Sequence, residues 1–183
     1  MNKTVIWTLV IFMFVVFVGV FSTQMQQKND GSVPVYTKLP DFEFHESTEA
    51  PFKRAQLYDK CSVFTFYLNT EQADSLSQLI AHMQPILKKH PQVQWLKILP
   101  LHLPSSDSIK FTLEPGTHLF GETKDIKNFL EKGFMLPKDA LEAIAAQKVI
   151  LVDSKARIRG YYSKTEEGIT SLERDIKLVL QEL

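Results

Sequence analysis

Hydrophobic and polar positions divide this chain into three stretches. Residues 4–21 read Thr-Val-Ile-Trp-Thr-Leu-Val-Ile-Phe-Met-Phe-Val-Val-Phe-Val-Gly-Val-Phe and carry no charge. As a helix, 18 such residues would span roughly 27 Å, close to the hydrocarbon core of a bilayer. Residues 22–38 are polar and Gln-rich, hold Asp30-Gly31-Ser32 and Pro34, and show no amphipathic period, which predicts a tether. Residues 39–183 carry the periodic patterns of a folded domain, and their number is sufficient for a real core. No internal repeat is present.

Within that third stretch, Pro40 opens the alternating run Asp41-Phe42-Glu43-Phe44-His45, which predicts an edge strand or hairpin arm. Ser62 to Leu68 is β-branched and aromatic, as in a central strand. Asn69 or Thr70 can cap the helix that follows, with Glu71 and Asp74 in its first turn. Leu76, Leu79, Ile80, Met83 and Leu87 form its apolar face, and Pro85 should interrupt and kink it. Val93 to Leu99 predicts a strand, and residues 100–115 dissolve into prolines and serines. Thr117 to Phe120 predicts a short strand. Thr123 caps a helix with Ile126, Phe129 and Leu130 on one face, ended by Gly133. Lys148–Asp153 and Arg157–Tyr162 predict a hairpin, and Thr165 caps a last helix bearing Ile169, Leu172, Ile176, Val179 and Leu180. The order β–α–β–α–β–β–α is that of an α/β thioredoxin-like domain, a central mixed sheet flanked by helices.

The apolar run has two readings, an uncleaved anchor or a cleaved secretory signal. It is longer than a usual signal core, and its nearest cleavage box, Val20-Phe21-Ser22, is poor. No cysteine stands directly after it, so lipoprotein processing is excluded. The reading is therefore a transmembrane anchor over residues 4–21 behind a short start, residues 1–3. Lys3 precedes the run and the next positive charge is Lys28, which predicts a cytoplasmic N-terminus and an extracytoplasmic domain. All 21 acidic residues and 20 of the 21 basic ones follow the run, so the exported part is nearly neutral. That excludes a nucleic-acid or anionic-lipid partner driven by charge. Cys61, the one cysteine, cannot form an internal disulfide.

The stretch Phe120-Gly121-Glu122-Thr123 through Lys132-Gly133-Phe134-Met135-Leu136-Pro137 resembles a segment of the SCO/SenC family. These are membrane-anchored, thioredoxin-fold copper chaperones that help assemble cytochrome c oxidase. The hairpin Leu151-Val152-Asp153 to Arg157-Ile158-Arg159-Gly160-Tyr161-Tyr162 and the start Leu39-Pro40-Asp41-Phe42 are similar to the family's as well. The resemblance covers most of residues 39–183 and implies the fold. It also locates the family's Cys-x-x-x-Cys pair and copper-binding histidine, at Gln72, Leu76 and Ala145 in this sequence. Soft thiolates with an imidazole suit copper and can exchange disulfides; glutamine, leucine and alanine can do neither. The family's turn glycine before Arg157 is here Ala156. Peroxiredoxins, which share the layout, need a cysteine three residues beyond a threonine, and Thr70 is followed at that distance by Ala73.

The remaining candidates are weak. Cys61 opens a central strand with only Lys60 to activate it, so an inert thiol is expected. The five histidines are His45, His82, His90, His102 and His118. His82 and His90 are more than two helical turns apart, too far for one ion. His102, His118 and Met83 could form a substitute copper site only if the fold brought them together. Glu71 with Asp74, and Glu122 with Asp125, fall in first turns of helices, where acids complement the dipole. Phosphate-binding glycine loops, zinc spacings and a nucleophile elbow are absent from the sequence. The reading is a non-enzymatic envelope protein with no catalytic, cofactor or metal residue, acting by binding a protein partner in or near the membrane. By family resemblance that partner belongs to respiratory-oxidase assembly. The alternatives are a copper carrier using His102, His118 or Met83, and a single-thiol redox protein using Cys61.

Overall fold

The computed structural model describes residues 32–46, 48, 50–68, 73–101 and 116–183. The expected anchor lies outside the described residues, as do Asn69–Gln72 and His102. Among the described residues no helix is long and apolar enough to cross a membrane.

Among the described residues twelve elements follow one another: β1 (Glu43–Glu46), β2 (Pro51–Lys53), a 3₁₀ turn (Arg54–Leu57), β3 (Cys61–Phe66), α1 (Ala73–Lys89), β4 (Val93–Pro100), β5 (Thr117–Gly121), α2 (Thr123–Lys132), α3 (Leu141–Gln147), β6 (Lys148–Val152), β7 (Ile158–Ser163) and α4 (Glu166–Leu180). The strands form one mixed sheet in the order β2-β1-β5-β4-β3-β6-β7. β3, β4 and β5 are parallel, while β6 runs antiparallel to β3 and to β7. This is the thioredoxin-like α/β architecture.

Every residue of β3 is buried because helices cover both faces of the sheet. Phe64 and Phe66 point to one side, with Ile126, Phe129 and Leu130 of α2 and Leu141 and Ala145 of α3. Cys61 and Val63 point to the other, with Leu79, Met83 and Ile86 of α1 and Ile169, Leu172, Ile176 and Val179 of α4. The apolar faces read from helical spacing are thus the faces that pack.

Local chemistry explains several element ends. Thr165 caps α4, its hydroxyl accepting the Gly168 N–H. α2 is capped one residue earlier than expected: Glu122 is the N-cap, its side chain making no capping bond to the helix, and Thr123 is already helical. Gly133 ends α2 because a Cβ there would lie 2.5 Å from the Phe129 carbonyl oxygen. Pro85 does not interrupt α1, which runs unbroken through it. Pro85 and Ala81 both face solvent, where water can take the carbonyl the proline leaves unbonded. α3 lies in a stretch for which the sequence pattern predicts no helix or strand.

The folded unit begins at Val33, earlier than the boundary expected at Leu39. Val33 is buried, and Arg159 donates to the Val33 and Pro34 carbonyls. The segment then runs beside β7, with Tyr36 N–H bonded to Ile158 O and Leu39 N–H to Ala156 O. Ala156 adopts φ 56°, the left-handed conformation that favours glycine.

Candidate functional site

The parallel strands β3, β4 and β5 finish at one end of the sheet, and their directions decide what else lies there. Because β6 is antiparallel to β3, its first residue, Lys148, is at that end. Lys148 pairs with Ser163, so the end of β7 is there too. Open α/β sheets bind ligands beyond the carboxyl ends of their parallel strands. Around this end lie Tyr67 and Leu68 after β3, Leu101 after β4, Gln147 at the end of α3, and Lys164 after β7. Tyr67 and Leu99 form a small apolar cluster with Ile80 and Phe120.

Of the three residues matched to copper ligands, Gln72 lies outside the described residues and Leu76 lies on α1. Ala145 lies on α3, two residues before its end, and is completely buried. A glutamine amide, an isobutyl group and a buried methyl do not fit copper: none offers the thiolate or imidazole donor that a soft metal requires.

Cys61 is at the opposite end of β3, at its start. It is free and fully buried. Burial pushes its thiol up to about 12; the Asp153 charge adds to this, and Arg159 opposes it. At neutral pH it is a small apolar core residue rather than a nucleophile.

Among the described residues the histidines do not converge on a site; His102 lies outside them. His45 is exposed on β1, and His82 and His90 belong to α1 and its end. Burial holds His90 below its ordinary value, with Glu173 opposing and Lys89 and Lys177 adding to the effect. His118 stands on β5 opposite Lys97 of β4. Met83 is fully enclosed in the core against α4, so its thioether already has apolar neighbours. Among the described residues no three His, Cys, Asp or Glu side chains gather closely enough to hold a metal. Glu122 and Asp125 are where acids complement the dipole of α2, at its cap and in its first turn.

Two lysines with ammonium groups drawn into the protein escaped the sequence reading, Lys97 buried as a whole and Lys164 only at its Nζ. Lys97 is fully buried on β4, its Nζ 4.3 Å from the centre of the Trp95 ring. Trp95 in turn donates its indole N–H to Thr65 Oγ1 at 3.0 Å. The alternation Val-Gln-Trp-Leu-Lys suggests a solvated lysine, but this strand is covered on both faces. Lys164 follows β7, with its Nζ 4.9 Å from the centre of the Tyr67 ring. Burial pulls its ammonium down to about 8.

At the other end of the sheet, Asp153 anchors an ion-pair network. Its Oδ1 accepts the Lys155 and Arg157 backbone N–H groups at 3.0 and 2.9 Å. Its Oδ2 accepts Arg157 Nε at 2.8 Å and Arg159 Nη1 at 3.1 Å. Arg159 also binds both oxygens of Glu182, at 2.6 and 2.7 Å. This cluster ties the Val33–Pro34 segment to β7 and to Glu182 beyond α4.

The architecture and the geometry of this end define a thioredoxin-like protein without the reactive pair of that class. Solved structures refine the likeness to SCO/SenC proteins. A SCO1/SenC family lipoprotein from Bacillus anthracis is 17% identical, with a TM-score of 0.58 over 79% of this chain and 95% of its own. BsSco, a member of the Sco family of cytochrome c oxidase assembly proteins, is 14% identical, with a TM-score of 0.63 over 82% and 97%. The thioredoxin domain of a thiol-disulfide oxidoreductase from Bacteroides vulgatus is 11% identical, with a TM-score of 0.58 over 81% and 99%. No protein-family model matches the sequence, and no curated protein matches it significantly. The fold is therefore that of SCO/SenC-like thioredoxin proteins.

Proposed function

We propose that this chain is a non-enzymatic, membrane-anchored envelope protein that keeps the SCO/SenC-like scaffold and acts by binding a protein partner. The observation that carries the reading is the replacement of the family's chemistry at both levels. The ligand positions hold Gln72, Leu76 and Ala145, and the one sulfur nucleophile, Cys61, is sealed in the core with its thiol raised to about 12. The partner proposed is a component of respiratory-oxidase assembly, the process named for BsSco. Binding takes place at the carboxyl end of the sheet, where Leu101 is half exposed beside the apolar Tyr67–Leu99 cluster. The run over residues 4–21 anchors the protein with its N-terminus in the cytoplasm and the domain outside.

Copper binding and disulfide reduction by the purified protein test the first part. Neither activity is expected, and stoichiometric copper that resists a Cu(I) chelator would overturn the reading. Alkaline washing of membranes tests the anchor: the protein should stay in the pellet, with the domain open to protease from outside. Recovery of a soluble form beginning near Thr23 contradicts the anchor.

A further inference from the structure

Lys164 is placed by three elements. It joins the end of β7 to Thr165, the cap of α4. Its backbone N–H donates to Gln147 O at 3.1 Å, which ties it to the end of α3. Its side chain lies over Tyr67, the first residue after β3. The Nζ atom is withdrawn from solvent and, among the described residues, has no hydrogen-bond partner.

An ammonium has three donors and no acceptor. The face of an aromatic ring offsets part of its charge but leaves those donors without a lone pair. Burial is the cause acting on Lys164, and it lowers the proton affinity to about 8; among the described residues no carboxylate counters it. Arg159 is the contrast within the same fold, buried as a whole but satisfied by Asp153, Glu182 and two carbonyls, and held above its ordinary value chiefly by the Glu182 hydrogen bonds. The Lys164 side chain as a whole is only partly buried, so rotation of its four-carbon stem can present the ammonium outward.

We propose that Lys164 and Tyr67 form a carboxylate-accepting site, the ammonium taking the carboxylate of an Asp or Glu side chain on a bound polypeptide. This rests on the protein-binding reading above and makes it specific. A monoanionic carboxylate suits the site better than a phosphate. One ammonium over one ring supplies few donors, whereas phosphate sites combine several backbone N–H groups or an arginine fork. A carboxylate brings acceptors to the unused donors and restores the charged form, as a neighbouring anion does for any lysine.

The test uses the full-length protein in detergent micelles with 13C-labelled lysine. The Lys164 Cε resonance, assigned by its loss in Lys164→Arg, is followed against pH alone, with acetyl-Gly-Glu-Gly-amide, with acetyl-Gly-Gln-Gly-amide, and with inorganic phosphate. The midpoint should stand near 8 in the free protein. Saturating Glu peptide should raise it by about one pH unit, which corresponds to roughly tenfold tighter binding by the ammonium than by the amine. The Gln peptide should leave it unmoved, and phosphate should do less than the Glu peptide.

A free-protein midpoint at the ordinary lysine value overturns the proposal, because a carboxylate of the chain itself would already hold the ammonium. So does a midpoint indifferent to the Glu peptide, or one moved equally by phosphate. These readouts use wild-type protein and need no variant to fold. Partner capture separates the two levels of the reading. If Lys164→Met captures as wild type does, the site is refuted and protein binding stands. If wild type captures nothing, protein binding fails, and the peptide titration still decides Lys164.

Discussion

Replacing Asp153 with asparagine keeps the side chain's shape and removes its charge. Oδ1 can still accept the Lys155 and Arg157 backbone N–H groups, so the turn between β6 and β7 keeps its local bonds. At the Oδ2 position the new amide would direct N–H groups at Arg157 Nε, Arg157 Nη2 and Arg159 Nη1, which now lie at 2.8, 2.7 and 3.1 Å. Hydrogen bonds to a charged group contribute about 1.5–3 kcal/mol each and do not add in full. Arg157 is partly exposed, so water replaces some of what it loses; Arg159 retains Glu182 and the carbonyls of Val33 and Pro34. The expected loss is therefore about 3 kcal/mol, the lower end of the cost of breaking a buried ion pair.

The pH dependence carries the sharper check. Burial works against the Asp153 carboxylate, but hydrogen bonds from the Arg157 side chain and the Arg157 and Lys155 backbone, with the Arg157 charge, outweigh it and hold the group below its ordinary value. A depressed carboxyl stabilises the folded state fully above its unfolded value, about 3.9 for Asp, and loses that stabilisation as pH falls through the lower folded value. Urea unfolding of wild type and Asp153→Asn, followed by far-UV circular dichroism, should show the widest gap at neutral pH. The gap should narrow below about pH 4. A neutral-pH difference under ~1 kcal/mol, or one that does not shrink on acidification, refutes the reasoning.

Cys61 should resist a disulfide reagent in the native protein and react only on unfolding, since a thiol near 12 is roughly one part in ten thousand thiolate at pH 8; stoichiometric labelling faster than unfolding would contradict its burial. Ala156→Gly should change stability by no more than about 0.5 kcal/mol, relief of the left-handed residue offsetting a lost buried methyl, whereas Ala156→Val should cost over ~2 kcal/mol; equal thermal midpoints for the two would refute the φ of 56°. Leu101→Asp should weaken partner capture while stability moves by under ~0.5 kcal/mol, as expected of a half-exposed position. Leu103→Asp, outside the described residues, should weaken capture in the same way. Unfolding of either variant would return that leucine to the core.

What was legible in the sequence is what local chemistry decides. The β-branched run of β3, the alternating hairpin β6–β7 and the Thr165 cap all state their structure within a few residues. α3 was missed because it has seven residues and an N-cap, Ala140, that makes no side-chain bond. The start of the domain was placed late because Val33 owes its burial to β7 and Arg159, more than a hundred residues away in the chain. The same distance hid Lys164. In sequence it is one polar residue before a cap, and only the packing of β7 beside α3 and the end of β3 sets it over Tyr67. The burial of Lys97 was equally hidden, since alternation on a strand covered on both faces says little about which lysine meets water.

Restoring the family's ligands is the last test, and the structure argues that it is not a simple reversal. Gln72→Cys and Leu76→Cys would supply two thiols. Ala145→His must place an imidazole where a methyl is completely enclosed, among the residues that join α3 to the sheet. Overpacking of this kind costs roughly 1–3 kcal/mol, and a ring nitrogen buried there without a partner costs more. The Asp153 network sits at the far end of the sheet, so its own contribution to stability does not depend on position 145. Ala145→His alone should therefore lower the unfolding midpoint, and the triple variant should still release Cu(I) to a chelator. A triple variant as stable as wild type that retains one chelator-resistant copper would show that the position opens readily and that α3 is not the barrier described.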